Sequence, residues 1–243
     1  MSVPADAVRV IEVRGLRYRY ADGTQALDGI DFHLDAGECV ALLGANGSGK
    51  TTFVLHLNGL LHPERAGDGE IEICGVPLNH SSIPRIRSKV GLVFQDSDEQ
   101  LFMPTVLEDV AFGPLNMGLG ADASMSRARK TLEQVGMGGA IGKAPYHLSS
   151  GEKRRAAIAG VLVMQPEILV LDEPTTSLDP PGQRDLIALL RGLPQAKLLG
   201  THDVDFVRAL ATRAVFFERG RVAAEGPIDE IVERFNWRSR PVA

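Results

Sequence analysis

Two groups of residues in this chain of 243 residues have the types and spacing needed for phosphate chemistry. Gly44-Ala45-Asn46-Gly47-Ser48-Gly49-Lys50-Thr51 fits G-x-x-x-x-G-K-[ST], follows the apolar run Cys39 to Leu43 and opens a helical stretch. Its glycines let successive backbone N–H groups turn toward one anion, and the helix start adds a partial positive charge. Lys50 brings a full charge to the β and γ phosphates of a nucleotide, and Thr51 is placed to hold Mg²⁺. Gly44, Asn46, Gly47, Ser48, Gly49, Lys50, Thr51 and Thr52 are therefore the expected phosphate contacts. The second group is Asp172-Glu173, which ends the apolar run Ile168 to Leu171. Asp172 suits a direct or water-mediated contact to Mg²⁺, and Glu173 suits the general base that polarises an attacking water. Adjacent acids at a strand end are commonly just solvated; a phosphate loop in the same chain favours the chemical reading.

These residues need a scaffold that delivers them to one edge. Glu38 to Leu43, Val90 to Phe94, Ile168 to Leu171, Lys197 to Thr201 and Ala214 to Glu218 are short apolar runs of the kind buried on both faces of a parallel sheet. Helical patterns alternate with them at Lys50 to Leu60, Ser126 to Val135, Glu152 to Met164, Gln183 to Leu193 and Val204 to Ala211, which predicts an α/β fold. Alternation in Arg9 to Tyr20 and Gln25 to Leu34 around Ala21-Asp22-Gly23 predicts an antiparallel hairpin. Between Gln95 and Ser149 no strong buried-strand run occurs, and a helical subdomain is expected there. The expected plan is one domain over residues 1–243, with the α/β core at 1–94 and 156–243 and the helical insertion at about 95–155.

Composition excludes other classes. A net charge of −5 and a pI near 5.7 argue against broad nucleic-acid binding. The dense basic run Lys153-Arg154-Arg155 reads as a solvated helix face. The longest apolar stretch, Ala156 to Met164, falls well short of the roughly 20 residues that cross a bilayer, and the N-terminus lacks a signal-peptide pattern. Cys39 and Cys74 lie in apolar runs and read as reduced, buried and structural. His33, His56, His62, His80 and His147 read as surface or packing residues; the spacing of His56 and His62 does not place them on one helix face for a metal.

The next motif separates this chain from other phosphate-loop proteins. His147-Leu148-Ser149-Ser150-Gly151-Glu152-Lys153-Arg154-Arg155 resembles the signature of ABC ATPases, LSGGQ followed by basic residues, upstream of Asp172 and Glu173. The resemblance implies ATP and Mg²⁺ as ligands and a P-loop NTPase core with an antiparallel β subdomain and an inserted helical subdomain. It further implies that Ser149 and Gly151 donate to the γ-phosphate held by a second subunit, hence a homodimer sandwiching two nucleotides. Ser150 and Glu152 depart from the usual glycine and glutamine. Tyr20 matches the aromatic that stacks on adenine, and Gln95 the glutamine that reaches Mg²⁺ and the attacking water. Asp179 matches the loop crossing the dimer interface, and His202 the switch histidine.

The stretches Val93 to Phe102 and Val106 to Pro114 are similar to the ATPases of energy-coupling-factor importers, especially of the cobalt and nickel type. That resemblance implies a transmembrane coupling protein docked near Gln95 to Pro114, a separate substrate-capture membrane protein, and a peripheral location on the cytoplasmic face of the membrane. A vitamin-type importer, a soluble ABC ATPase of DNA repair or translation, and a scaffold that dimerises on ATP without hydrolysis remain as alternatives. The soluble relatives typically carry coiled coils, zinc modules or tandem domains, and the presence of both Glu173 and His202 speaks against the scaffold.

Overall fold

The computed structural model describes residues 8–61 and 68–237. A six-stranded sheet carries β3 (Cys39–Leu43), β6 (Val90–Val93), β7 (Ile168–Asp172), β8 (Ala196–Gly200), β9 (Arg213–Glu218) and β10 (Arg221–Gly226) in the order β10-β9-β3-β8-β7-β6. All neighbours are parallel except β10 against β9. A four-stranded antiparallel sheet joins β1 (Arg9–Arg19), β2 (Gln25–Asp35), β4 (Glu70–Ile73) and β5 (Val76–Pro77) in the order β2-β1-β4-β5.

The continuous apolar runs have a direct cause. Ile168 and Val170 of β7 face one hydrophobic cluster, shared with the antiparallel sheet and α1 (Lys50–Leu57), while Leu169 and Leu171 face another under the helical layer. Successive side chains point to opposite faces, so a strand covered on both sides has no polar position. The helical layer contains α3 (Val106–Asn116), α4 (Ala121–Gln134) and α5 (Ser150–Leu162). Helix α5 runs unbroken through residues 155 and 156 and packs on both the sheet and the inserted segment. The remaining helices are α2 (Ile83–Lys89), α6 (Pro180–Arg191), α7 (Val204–Leu210) and α8 (Ile228–Arg234).

Three elements position the site. The β1–β2 turn is closed by Gly23 N–H donating to the Tyr20 carbonyl at 3.0 Å and Thr24 N–H donating to Asp22 Oδ1 at 2.8 Å, the local bonding that makes Asp-Gly a turn former. In the parallel ladder Gly200 lies opposite Leu42 on one side and Asp172 on the other, so β3, β8 and β7 end at one level. Ligands of open α/β sheets bind at this carboxyl edge.

Some elements differ from expectation. Strands β4 and β5 have four and two residues, too few for a periodic signal, and were not foreseen. Cys39 is buried, but Cys74 is only half-buried in the tight turn after β4, with φ of 47°, and both thiols are free. Burial, the largest cause for each, pushes both thiols up to about 12. His62 lies outside the described residues.

Helix α5 approaches β6 so closely that only glycine fits at position 91. A Cβ on Gly91 would stand 2.0 Å from Val161 Cγ1 and 3.1 Å from Pro166 Cγ. Gly91→Ala is expected to lower the free energy of unfolding by about 1–3 kcal/mol, the usual cost of overpacking. Urea unfolding measures it, and an unchanged midpoint would contradict the packing.

Candidate functional site

Helix α1 begins differently from most helices around it. Thr105, Ser149, Asp179 and Asp203 cap α3, α5, α6 and α7 through their side chains, whereas α1 starts at Gly49 with no side-chain cap and no acid in its first turn. Its first N–H groups and partial positive charge are therefore left for an external anion. Gly44 sets the loop: its φ is +142°, and a Cβ there would sit 2.3 Å from the carbonyl oxygen of Phe217. Lys50 is buried, and its Nζ donates to the carbonyls of Gly44 at 2.6 Å and Ala45 at 3.2 Å. Burial lowers its affinity for its proton, while Glu173 and Asp172 oppose that shift.

The acidic side of the site stands at the end of β7. Thr51 Oγ1 donates to Asp172 Oδ2 at 2.8 Å, joining residues 121 apart in sequence. Asp172 Oδ1 is buried with no hydrogen-bond partner. A hydroxyl beside an orphaned carboxylate oxygen is a hard-oxygen donor set suited to Mg²⁺, which takes one or two protein ligands and completes its shell with phosphate oxygens and water. The described residues hold no group of three His, Cys, Asp or Glu side chains able to bind a metal alone. Burial raises the Asp172 carboxyl above its ordinary range; the Thr51 hydroxyl opposes the rise, the Glu173 charge adds to it and Lys50 opposes it.

Glu173 follows with φ of +43°, and its N–H donates to the Gly200 carbonyl at 2.6 Å. A left-handed glutamate is a strained backbone held in place by its surroundings. Its Oε2 lies 2.9 Å from Nδ1 of His202, whose side chain is 66% exposed. The half-exposed Tyr20 shares a hydrogen bond of 2.9 Å between its hydroxyl and Thr52 Oγ1.

A cavity of about 410 Å³ brings together Tyr20, Asn46, Gly47, Gly49, Lys50, Thr51, Thr52, Gln95, Asp172, Glu173 and His202. A second cavity of about 550 Å³ shares Thr51, Gln95 and Asp172 and extends to Ser150, Lys153 and Arg154. Gly44 and Ser48 do not line the first cavity. Ser149, Gly151 and Asp179 are absent from its wall. Ser149 caps α5: its Oγ accepts from Glu152 N–H at 3.3 Å while Glu152 accepts from Ser149 N–H at 2.8 Å, which accounts for a glutamate at that position. Ser150 is not among the residues of positive φ, so a serine needs no strained backbone there.

The basic run after the signature is not a solvated face. Lys153 pairs with Asp98 at 2.6 Å, Arg155 lies 3.8 Å from Asp185, and Arg154 is buried. Position 154 is in phase with the buried Ala157, Ile158 and Val161, a helical periodicity that could have flagged it. Thr176, which lines both cavities, also escaped sequence reasoning.

The model of the ABC transporter family matches residues 27–176. The chain belongs to that family. It is similar to the energy-coupling factor transporter ATP-binding protein EcfA of Methanothermobacter thermautotrophicus, with 48% identity over 91% of this chain and 72% of the relative. Among solved structures it resembles cbiO1 from Clostridium perfringens, part of the ABC transporter complex cbiONQ (TM-score 0.82, 37% identity, 96% of each chain). The dimeric ATP-binding cassette MJ0796, in a post-hydrolysis state bound to ADP and Pi, is a further match (TM-score 0.78, 27% identity, 90% of this chain and 98% of that one). This ABC ATPase therefore binds and hydrolyses ATP. No helix among the described residues is long and apolar enough to cross a membrane.

Asp172 carries a cost that nucleotide-free ABC ATPase must bear. Its folded-state affinity for a proton exceeds the unfolded one, so stability falls as pH rises from the ordinary carboxylate value of about 4 through the raised value. Asp172→Asn is expected to raise the Tm of the nucleotide-free protein at pH 7, with the gain shrinking toward pH 4, and to lower turnover about a hundredfold or more. A calorimetric pH series showing no gain would refute the assignment of that cost.

Proposed function

We propose that two copies of this ATPase close around two ATP molecules and power an importer of the energy-coupling-factor class that carries Co²⁺ or Ni²⁺. The carrying observation is that Lys50, Asp172, Glu173, Gln95 and His202 share one cavity wall, while Ser149, Gly151 and Asp179 do not. One chain thus holds a half-site that needs a second signature turn. A dimer supplies it, and a cassette that the fold matches is dimeric and bound to ADP and Pi.

In this reading Tyr20 stacks on adenine, the loop from Gly44 to Thr52 cradles the phosphates, and Thr51, Asp172 and Gln95 hold Mg²⁺. Bound there, Mg²⁺ would supply charge that offsets the negative charge developing on the phosphate oxygens. Glu173 accepts a proton from water as the water oxygen bonds to the γ-phosphorus and the bond to the bridging oxygen breaks, releasing ADP and phosphate. His202 steadies Glu173 through Nδ1 and serves as the switch histidine of the γ-phosphate. Ser149, whose Oγ accepts within its own cap, keeps its hydroxyl proton to donate across the interface, together with Gly151 N–H. Asp179 serves the loop that crosses the same interface.

The segment from about 95 to 155 acts as the subdomain that meets a transmembrane coupling protein at the cytoplasmic face, while another membrane protein captures the solute. Phe102 and Phe112 support this: both rings are exposed and meet edge to face at 5.1 Å, with Leu115, Met117 and Leu119 exposed beyond them. Exposed apolar side chains concentrated in one segment are what an interaction face presents. The similarity of the stretches Val93 to Phe102 and Val106 to Pro114 to ATPases of the cobalt and nickel type favours a metal cargo, and a vitamin-type importer is the second reading.

Glu173→Gln is expected to bind ATP, dimerise stably and hydrolyse at least a hundredfold more slowly, and His202→Ala to lose most turnover with binding retained. Phosphate release and light scattering measure both, and near-normal turnover in either variant would sink its assigned role. For cargo, cells lacking this chain should lose Co²⁺ or Ni²⁺ uptake. Intact metal uptake with failing vitamin uptake would select the second reading.

A further inference from the structure

Arg154 is 3% exposed and, among the described residues, has no carboxylate within 4.0 Å. Its Nη1 donates to the Phe94 carbonyl and its Nη2 to the Gln95 carbonyl, each at 2.7 Å, and its Nε is buried without an acceptor. Burying a guanidinium is costly, and the Asp96 charge opposes that cost from a distance without a direct ion pair. What it gains here is a planar fork laid across two successive carbonyls where β6 gives way to Gln95, a geometry that lysine cannot reproduce.

Other contacts fasten the same two segments. Gln100 accepts from Phe94 N–H at 3.4 Å and donates to the Ala157 carbonyl at 3.1 Å, and Lys153 reaches Asp98 at 2.6 Å. The Gly91–Val161 approach described above packs the root of the segment against the same helix. The stretch from Phe94 to Gln100 is therefore held along one face of α5, whose first turn carries Ser149 and Gly151.

We propose that Arg154 is a positioning residue that sets the backbone at Gln95 from helix α5, so that Gln95 reaches its own nucleotide only in step with the signature turn that meets the partner's. This rests on the reading of Gln95 as the contact to Mg²⁺ and the attacking water. Ordering of the signature turn in one copy is then felt, through a single rigid helix and two carbonyls, at the hydrolytic centre of the same copy.

The test combines Arg154→Gln, Arg154→Lys, Gln95→Ala and the double variant Arg154→Gln/Gln95→Ala in the full chain. Steady-state ATPase, equilibrium binding of a fluorescent ATP analogue and hydrogen exchange of the 96–101 amides without nucleotide are the readouts. Arg154→Gln is expected to lower kcat at least tenfold, with KM and analogue affinity within threefold of the parent and faster exchange in the 96–101 amides. Arg154→Lys should fall between the two. The double variant should turn over no more than twofold below Gln95→Ala, because both changes remove one action. Multiplying losses, unchanged exchange, or an Arg154→Gln kcat within twofold of the parent beside a slow Gln95→Ala would overturn the assignment. If Arg154→Gln fails to bind the analogue, the same cycle run with Arg154→Lys decides by the same criterion. Normal turnover in Gln95→Ala beside a slow Arg154→Gln would remove the Gln95 reading itself, and this assignment with it.

Discussion

The rest of the site depends on a carboxylate held out of water. Asp172 stands at the end of a strand buried on both faces, one oxygen tied to the Thr51 hydroxyl and the other left without a hydrogen bond. Desolvation of that group dominates its titration. A buried acceptor of this kind is costly while unmet and strongly favourable once a cation or donor reaches it. Lys50, folded back onto the Gly44 and Ala45 carbonyls, is the complementary case, a buried cation whose hydrogen bonds go to neutral oxygens while the Glu173 and Asp172 charges act on it from a distance. Phosphate oxygens would answer it better. The loop is thus an arrangement of partly met demands, a buried cation and a buried carboxylate oxygen held close to one another without a direct bond.

The parallel register ties this local demand to the placement of Glu173 and His202. Gly200 lies beside Asp172, and its carbonyl accepts from Glu173 N–H, pinning the left-handed turn that follows β7. His202, two residues beyond Gly200, meets Glu173 at 2.9 Å. A side chain larger than hydrogen at position 200 would press on Asp172 Oδ1 at 3.1 Å. The strand ends therefore cannot be moved independently, and a displacement of β8 shifts the carboxylates of β7 with it.

Legibility in the sequence followed the range of each interaction. The phosphate loop, the acid pair and the β1–β2 turn are local patterns whose chemistry is carried by neighbours in sequence, and they stood out. Tyr20, Gln95, Asp179 and His202 were visible only through their order relative to those patterns. The left-handed Glu173, the Thr51–Asp172 bond and the burial of Arg154 depend on residues tens to more than a hundred positions away, and no window contains them. Arg154 is the instructive miss. A charge beside two other charges reads as solvent-facing, yet helical phase with Ala157, Ile158 and Val161 carried the contrary signal. The short strands β4 and β5 left no periodic trace because they gain their order from β1.

Helix α5 shows why this chain carries a glutamate and a serine at the helix start and alanines in its middle. Its first turn must expose backbone donors, which Glu152 stabilises from the side through the reciprocal cap with Ser149. Its middle must bring a guanidinium to Phe94 and Gln95, so the flanking positions are small: Ala156, Ala157 and Ala159 are fully buried. Its last turns lie so near β6 that Val161 excludes any side chain at Gly91. Those demands fall on successive turns of one rigid element. In the proposed dimer, the turn that faces the partner's nucleotide and the fork that faces the chain's own nucleotide are thereby separated by only a turn of helix, close enough that neither can shift without the other.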